Sequence, residues 1–312
     1  MTLSHNELKY MELIKSRYPQ MDLSKIEFNK TDGTYSDIAV VNNEALFKFA
    51  RYDWSAVYLR NEADVLRFIR SFVTTPLPDV EMIAPDITRR NYIKGSPLYR
   101  NVLLKMNQYS QDAVAMQIAA FLKQLHAIPA AKAEYANIGS SQVNRTREEW
   151  LSELETMQRK ISPYCTNYVK EYLRQIIQPA IDNEDFFEFR PTVIHGELAP
   201  YHILFDKTSR KITGIIGFSN AGIGDPAFDI GMLMDHLGES FIWRVQKYYP
   251  MTPVFLERAR FYAYINSFMW YRDVCDMITT RDFSRFQIQA KDRDISPVGT
   301  LSPAVGAKLS KK

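Results

Sequence analysis

His195, Glu197 and His202 fall in one short stretch, "VIHGELAPYHILFD" (193–206), a polar loop between two apolar runs. A carboxylate set between two imidazoles can take a proton from a hydroxyl. His202, returning to the same cleft, can also act as a metal ligand. Each histidine taken alone reads more simply as a hydrogen-bonded structural residue. A second group is Lys48 in "ALFKFA" and Glu62 in "NEADVLRFI". If the two meet in space, the carboxylate holds the ammonium ready for phosphate oxygens; if they do not, both are ordinary surface charges. The third stretch, "ITGIIGFSNAGIGDPAFDIG" (212–231), runs from an apolar strand through a loop into a helix. There Asp225 and Asp229 read as a helix cap and as anchors for loop backbone. Phosphoryl transfer asks for these parts: clamped phosphates, metal ions bridging them, and a carboxylate orienting the attacking hydroxyl.

Residues 24–50 must supply strands to carry Lys48. "SDIAVV" and "ALFKFA" are β-rich runs joined by "NNE", which suits a tight hairpin turn. From Trp54 to Phe72 the period becomes helical, with Tyr58, Val65, Leu66 and Ile69 on one stripe. "PLP" at 76–78 stops that helix, and Gly95 and Pro97 in "NYIKGSPL" turn the chain. Val114, Ile118, Phe121, Leu122 and Leu125 keep one helical face apolar, and helical patterns resume over 145–183. Short strands are expected at Thr192–Ile194, His202–Phe205 and Ile212–Phe218, with closing helices near 227–248 and 252–280. Strands first and helices later predict an α+β protein of two lobes. Residues 1–92 form a small antiparallel β lobe with one helix, and 93–295 form a mostly helical lobe. The segment 296–312, rich in Pro, Gly, Ser and Lys, has the composition of a mobile tail.

The 312 residues are 46% apolar and 24% charged, the balance of a globular protein with a sizeable core. A net charge of +3 without a dense basic cluster argues against nucleic acid. No apolar run is long enough to span a bilayer, and "MTLSHNELKYMELIK" lacks a signal-peptide core, so no membrane association is expected. Cys165 and Cys275 form neither a metal pattern nor a disulfide framework, which suits a reducing cytoplasm. A monomer is expected.

Six stretches in register, "GTYSDIAVVNNEALFKFA", "NEADVLRFI", "YIKGSPL", "FLKQLHAIP", "VIHGELAPYHILFD" and "ITGIIGFSNAGIGDPAFD", resemble the aminoglycoside phosphotransferase and kinase-like family over residues 33–229. The branch that phosphorylates the 2″-hydroxyl of aminoglycosides is the most similar. The resemblance implies a bilobal protein-kinase-like fold with ATP or GTP and Mg²⁺ in the cleft. It implies that Lys48 contacts phosphates with Glu62 orienting it, that Gly33 lies in a nucleotide-covering loop, and that Asn91 and Ile93 form a hinge against the purine. Glu197 stands at the catalytic base, with His195 beside it, and His202 at a metal-binding position. Asp235 and Glu239, with Trp270 as a wall, are the candidate groups for a cationic aminoglycoside substrate; their alternative reading is surface charge and packing. Two departures stand out. The family's base is aspartate where this chain has Glu197, and its metal-chelating aspartate corresponds to Gly217, which offers no ligand. The function implied is transfer of the nucleotide γ-phosphate to a hydroxyl of an aminoglycoside-like molecule, with activity impaired by those departures. The alternative is a pseudokinase-like protein that binds nucleotide or ligand and transfers nothing.

Overall fold

The computed structural model describes residues 4–29, 36–274, 294–296 and 298. The chain opens with a helix that the strand-first reading did not anticipate, α1 (His5–Arg17). Its signal is "SHNE": the Ser4 hydroxyl accepts from Glu7 N, while the Glu7 carboxylate accepts from Ser4 N, a reciprocal cap.

The N-terminal lobe is an antiparallel sheet of β1 (Ile26–Asn29), β2 (Ser36–Val41), β3 (Ala45–Ala50), β4 (Val80–Ala84) and β5 (Ile87–Asn91), in the order β1-β2-β3-β5-β4. Asn42 and Asn43, at φ 54° and 53°, turn β2 into β3; asparagine is among the few side chains that accept this left-handed backbone. Alternation along β3 divides the work. Phe47 and Phe49 pack with Ile14 of α1, Val41 and Ile87 in a small separate core. Leu46 and Lys48 therefore face the other way, into the cleft.

Helix α2 (Ala56–Ile69) follows β3 and belongs to both lobes. Its Val65, Leu66 and Ile69 join the core of the large lobe. Across the cleft, the Asn61 side-chain amide donates to the carbonyls of Ser219 and Ala221, each at 2.9 Å.

The large lobe contains β6 (Ser96–Pro97), α3 (Arg100–Leu104), α4 (Gln108–His126), α5 (Ala130–Tyr135), α6 (Arg147–Ile161) and α7 (Asn167–Asp182). Then come β7 (Thr192–Ile194), β8 (Ile203–Asp206), β9 (Lys211–Ile215), β10 (Gly222–Gly224), α8 (Pro226–Leu237), α9 (Glu239–Gln246) and α10 (Pro253–Val274). β7 pairs with β10, and β8 lies between β6 and β9. The strand expected to reach Phe218 stops at Ile215, because Gly217 turns left-handed at φ 84° and opens a 3₁₀ turn over Phe218–Asn220. The single helix expected over 227–248 is two, broken where Gly238 takes φ 87°. Gly231 permits α8 to press on α10: a Cβ there would approach the Ala259 carbonyl to 2.8 Å. Among the described residues, no helix is long and apolar enough to cross a membrane.

Asn61→Ala removes both side-chain bonds between α2 and the 218–220 turn while leaving the apolar face of α2 in place. The expected loss is about 1–2 kcal/mol of stability. Amide exchange should rise around Ser219–Ala221; exchange that is unchanged there would show that the two bonds do not hold the turn.

Candidate active site

The loop after β7 is held from beneath by Asp229, a fully buried carboxylate in the first turn of α8. It accepts from His195 N at 2.8 Å, from Gly196 N at 2.9 Å and from the His126 Nε2 proton at 3.1 Å. A buried carboxylate needs such donors to offset its desolvation. Asp225 caps α8 through Ala227 N and pairs with Arg258 at 2.7 Å.

His195 is wholly buried behind this loop. Its Nε2–H donates to the Ile216 carbonyl at 2.9 Å and its Nδ1 accepts from Glu197 N at 3.2 Å. Burial pushes its pKa down, against the pull of Asp229, so the ring is neutral. It is a strut between the loop and the end of β9 and is not among the residues that line the cleft.

Glu197 lines the cleft, and both its carboxylate oxygens are engaged. The Tyr201 hydroxyl donates to Oε1 at 2.9 Å and the Asn220 amide to Oε2 at 3.0 Å. Burial and the neighbouring Glu197 charge push the Tyr201 phenol up, so it stays a proton donor. His202 donates from Nδ1 to the Glu197 carbonyl at 2.8 Å, leaving Nε2 as the bare nitrogen. Burial pushes its pKa down to about 4, so this ring too is neutral.

The Nε2 edge faces Gly217. A Cβ at position 217 would overlap the His202 imidazole, approaching its Cε1 to 2.6 Å. The imidazole thus fills the space that a side chain at 217 would enter. These donors do not fit Mg²⁺. That ion takes oxygen ligands, yet the available groups are one imidazole nitrogen and one carboxylate already bonded twice. Among the described residues, no three His, Cys, Asp or Glu side chains converge on one point. The expectation of a metal position at His202 is therefore not supported by the donor set around it.

On the opposite wall, Lys48 Nζ lies 2.8 Å from Glu62 Oε2, and Arg90 Nη1 lies 2.9 Å from Glu62 Oε1. All three side chains are buried. Desolvation alone would raise the Glu62 pKa, but Arg90 and Lys48 together hold it well below the usual carboxylate range. Burial, and then the like charge of Arg90, push the Lys48 pKa down. Arg90 had no part in the sequence reading. Only the register β3–β5, with Leu46 opposite Arg90 and Lys48 opposite Thr88, puts it on the same face as Lys48. Tyr201 and Asn220 were likewise overlooked, since neither lies at a position whose type signals chemistry.

The cleft between these walls encloses about 960 Å³, and Asn91 and Ile93 line it beside Arg90. Gly33 and the Trp270 side chain lie outside the described residues. Asp235 of α8 is half-buried and accepts from Asn266 at 3.0 Å. Glu239 is not among the residues that line the cleft. It is buried and ion-paired with Arg260 at 2.5 Å, and it also accepts from Ser296 N, so its charge is neutralised within the fold.

A lysine–carboxylate pair on the small lobe facing a His–Gly–Glu loop on the large lobe is accompanied by a match to the family described as "Phosphotransferase enzyme family" over residues 31–254. The chain belongs to that phosphotransferase family. Among curated relatives it is 25% identical to the uncharacterized protein YcbJ of Bacillus subtilis (strain 168) over 196 residues, covering 60% of this chain and 61% of YcbJ. It is 26% identical to the viomycin phosphotransferase of Streptomyces vinaceus over 216 residues, covering 66% of this chain and 72% of that enzyme. Among solved structures, the GDP complex of wild-type aminoglycoside 2'-phosphotransferase-IIIa superposes with a TM-score of 0.79 at 21% identity, covering 92% of this chain and 97% of the other. The streptomycin–ATP ternary complex of APH(2")-IIa gives 0.70 at 22% identity, covering 93% and 96%. The fold is the kinase-like fold of this phosphotransferase family, with its antiparallel small lobe and helical large lobe.

Substitutions on both walls test this geometry. Glu62→Ala leaves two buried cations without a partner and should cost about 3–5 kcal/mol. Arg90→Met, which keeps the Lys48–Glu62 pair, should cost clearly less; thermal melts of equal depression would contradict the shared carboxylate. Gly217→Asp must hold a side chain at positive φ, about 1–2 kcal/mol for one residue, and must also displace His202. Gly217→Ala carries the same Cβ and should lose a similar amount. Adding His202→Ala should recover the part due to overlap, and a double variant no more stable than Gly217→Asp would refute the contact.

Proposed function

We propose that this protein binds a nucleoside triphosphate in the cleft and transfers its γ-phosphate to a hydroxyl of a small cationic molecule. The observation that carries this reading is the buried Lys48–Glu62 pair, which presents an ammonium to the cleft opposite Glu197. The purine edge is assigned to the backbone at Asn91 and Ile93, and the nucleotide-covering loop to the segment around Gly33. The domain division at residue 92 follows, with the small lobe binding nucleotide and the large lobe binding the acceptor.

In the transfer step, the Glu197 carboxylate accepts the proton of the attacking hydroxyl. A bond forms from that oxygen to the γ-phosphorus, the bond to the bridging oxygen breaks, and nucleoside diphosphate leaves. Tyr201 and Asn220 fix the orientation of the base by holding its two oxygens. His195 and Asp229 position the loop from behind. Positioning of this kind supplies much of the rate in phosphoryl transfer, since little covalent chemistry is required of the protein.

An aminoglycoside-like acceptor is favoured by neighbours solved with kanamycin, streptomycin or gentamicin, and a relative named viomycin phosphotransferase widens the class to other cationic antibiotics. In this chain Glu197 lines the cleft, and the Asp235 charge acts on Tyr201 beside it. A second reading, nucleotide binding without transfer, is favoured by one observation: the imidazole of His202 stands where Gly217 provides no carboxylate.

The deciding measurement is release of diphosphate from GTP and from ATP in the presence of viomycin, kanamycin, streptomycin and gentamicin. Acceptor-dependent turnover is expected, and Glu197→Gln should lower kcat about 100-fold or more with little change in nucleotide affinity. Tight nucleotide binding with no turnover on any acceptor would leave the second reading standing. Turnover unaffected by Glu197→Gln would remove Glu197 from the base role.

A further inference from the structure

Arg90 is a cation that the Lys48–Glu62 pair does not require. Glu62 carries one negative charge, already matched by Lys48 at 2.8 Å, yet the other oxygen of the same carboxylate holds Arg90 at 2.9 Å. The wall therefore has two buried positive charges on one negative. Taking a second ion out of water costs several kcal/mol unless something offsets it. Arg90 is 6% exposed and lines the cleft, and its Nε has no hydrogen-bond partner among the described residues. A guanidinium carries five N–H donors and no acceptor. The like charges also push on each other, which is the second cause of the lowered Lys48 pKa. An excess of positive charge on the cleft wall calls for an anion rich in acceptor oxygens.

The width of one carboxylate separates the Lys48 ammonium from the Arg90 guanidinium, so an oxyanion that reaches one lies within reach of the other. The opposite wall has the complementary deficit. Position 217 carries no carboxylate and the His202 ring fills the space beside it, so the oxygen ligands that would hold a divalent cation are reduced to the Glu197 carboxylate, with no second acid beside it among the described residues. A triphosphate in this cleft must have its charge neutralised by something other than a tightly held metal.

We propose that Arg90 is a polyphosphate-binding residue whose fixed charge, beside Lys48, takes over the charge neutralisation that a divalent cation would supply, so that nucleoside triphosphate binds without metal. This rests on the nucleotide reading of the cleft and deepens it. Arginine suits the role because its planar fork grips phosphate oxygens in pairs and stays charged at any working pH. The competing role, recognition of the purine by Arg90, makes a different prediction and is separated by the same experiment.

The experiment is calorimetric titration of the full chain with guanosine, GMP, GDP and GTP, with the adenine series and with inorganic tripolyphosphate, each in Mg²⁺ and in EDTA. Triphosphate Kd is expected to change less than about threefold between Mg²⁺ and EDTA. In EDTA, Arg90→Met should weaken GTP, ATP and tripolyphosphate alike by about tenfold or more, the scale of one charge-assisted hydrogen bond, and leave the nucleosides unchanged. Arg90→Lys should retain part of the affinity. Triphosphate binding that collapses in EDTA would overturn the inference while leaving nucleotide binding intact. A loss in Arg90→Met confined to one purine, or equal for nucleoside and triphosphate, would also overturn it by placing Arg90 at the base. If no nucleotide binds under either condition, both this inference and the nucleotide reading fall. The wild-type comparison of Mg²⁺ with EDTA needs no variant, so it decides even if Arg90→Met does not fold.

Discussion

Glu62 is a carboxylate removed almost completely from water, and a buried charge survives only if its surroundings return what hydration supplied. Lys48 and Arg90 do this from two neighbouring strands, one on each oxygen. The consequence is geometric as much as energetic. Glu62 sits on α2, so binding both cations fixes how that helix lies across the sheet. The same helix places Asn61 over the 218–220 turn and sends Val65, Leu66 and Ile69 into the large-lobe core. One buried ion triad thus sets the relation between the small lobe, the cleft wall and the loop that faces it.

The elements were legible where periodicity was strong. The β-rich run "ALFKFA" marked β3, and the stripe Tyr58, Val65, Leu66 and Ile69 marked α2. Boundaries failed where a single backbone angle decides. Nothing in "ITGIIGFSN" distinguishes a strand that ends at Ile215 from one that continues, except that Gly217 permits φ 84°. The break at Gly238 has the same origin. α1 was legible in principle, through its capping residues, but its helical face is too weakly apolar to attract notice.

The site divided differently. Lys48, Glu62, Glu197 and His202 were nameable because motifs carry them, and the structure gathers them about one cleft. Arg90, Tyr201 and Asn220 were not, because their roles come from register and from a turn, which bring together residues far apart in sequence. Glu239 shows the reverse error. An acid on a helix after "GDPAFDIG" invites a substrate role, but α10 supplies Arg260 against it, and a partner on a remote helix cannot be read from local pattern.

Gly217 and Glu197 are usually separable questions, one of metal and one of base, but here the backbone couples them. The Ile216 carbonyl accepts from His195, Ile216 N donates to the His202 carbonyl at 2.9 Å, Asn220 reaches back to Glu197, and the Asn220 carbonyl accepts from Ser141 at 2.6 Å. These bonds pin the chain on both sides of residue 217, so its left-handed angle is imposed by the loop it faces and is not free to relax. A side chain introduced there cannot be accommodated by moving the backbone without loosening the base's own support. The ring of His202 is the part able to yield, and it is itself tied through Nδ1 to the carbonyl of Glu197. The glycine, the imidazole and the glutamate therefore behave as one interlocked arrangement, and altering any one of them shifts the orientation of the carboxylate that meets the acceptor hydroxyl.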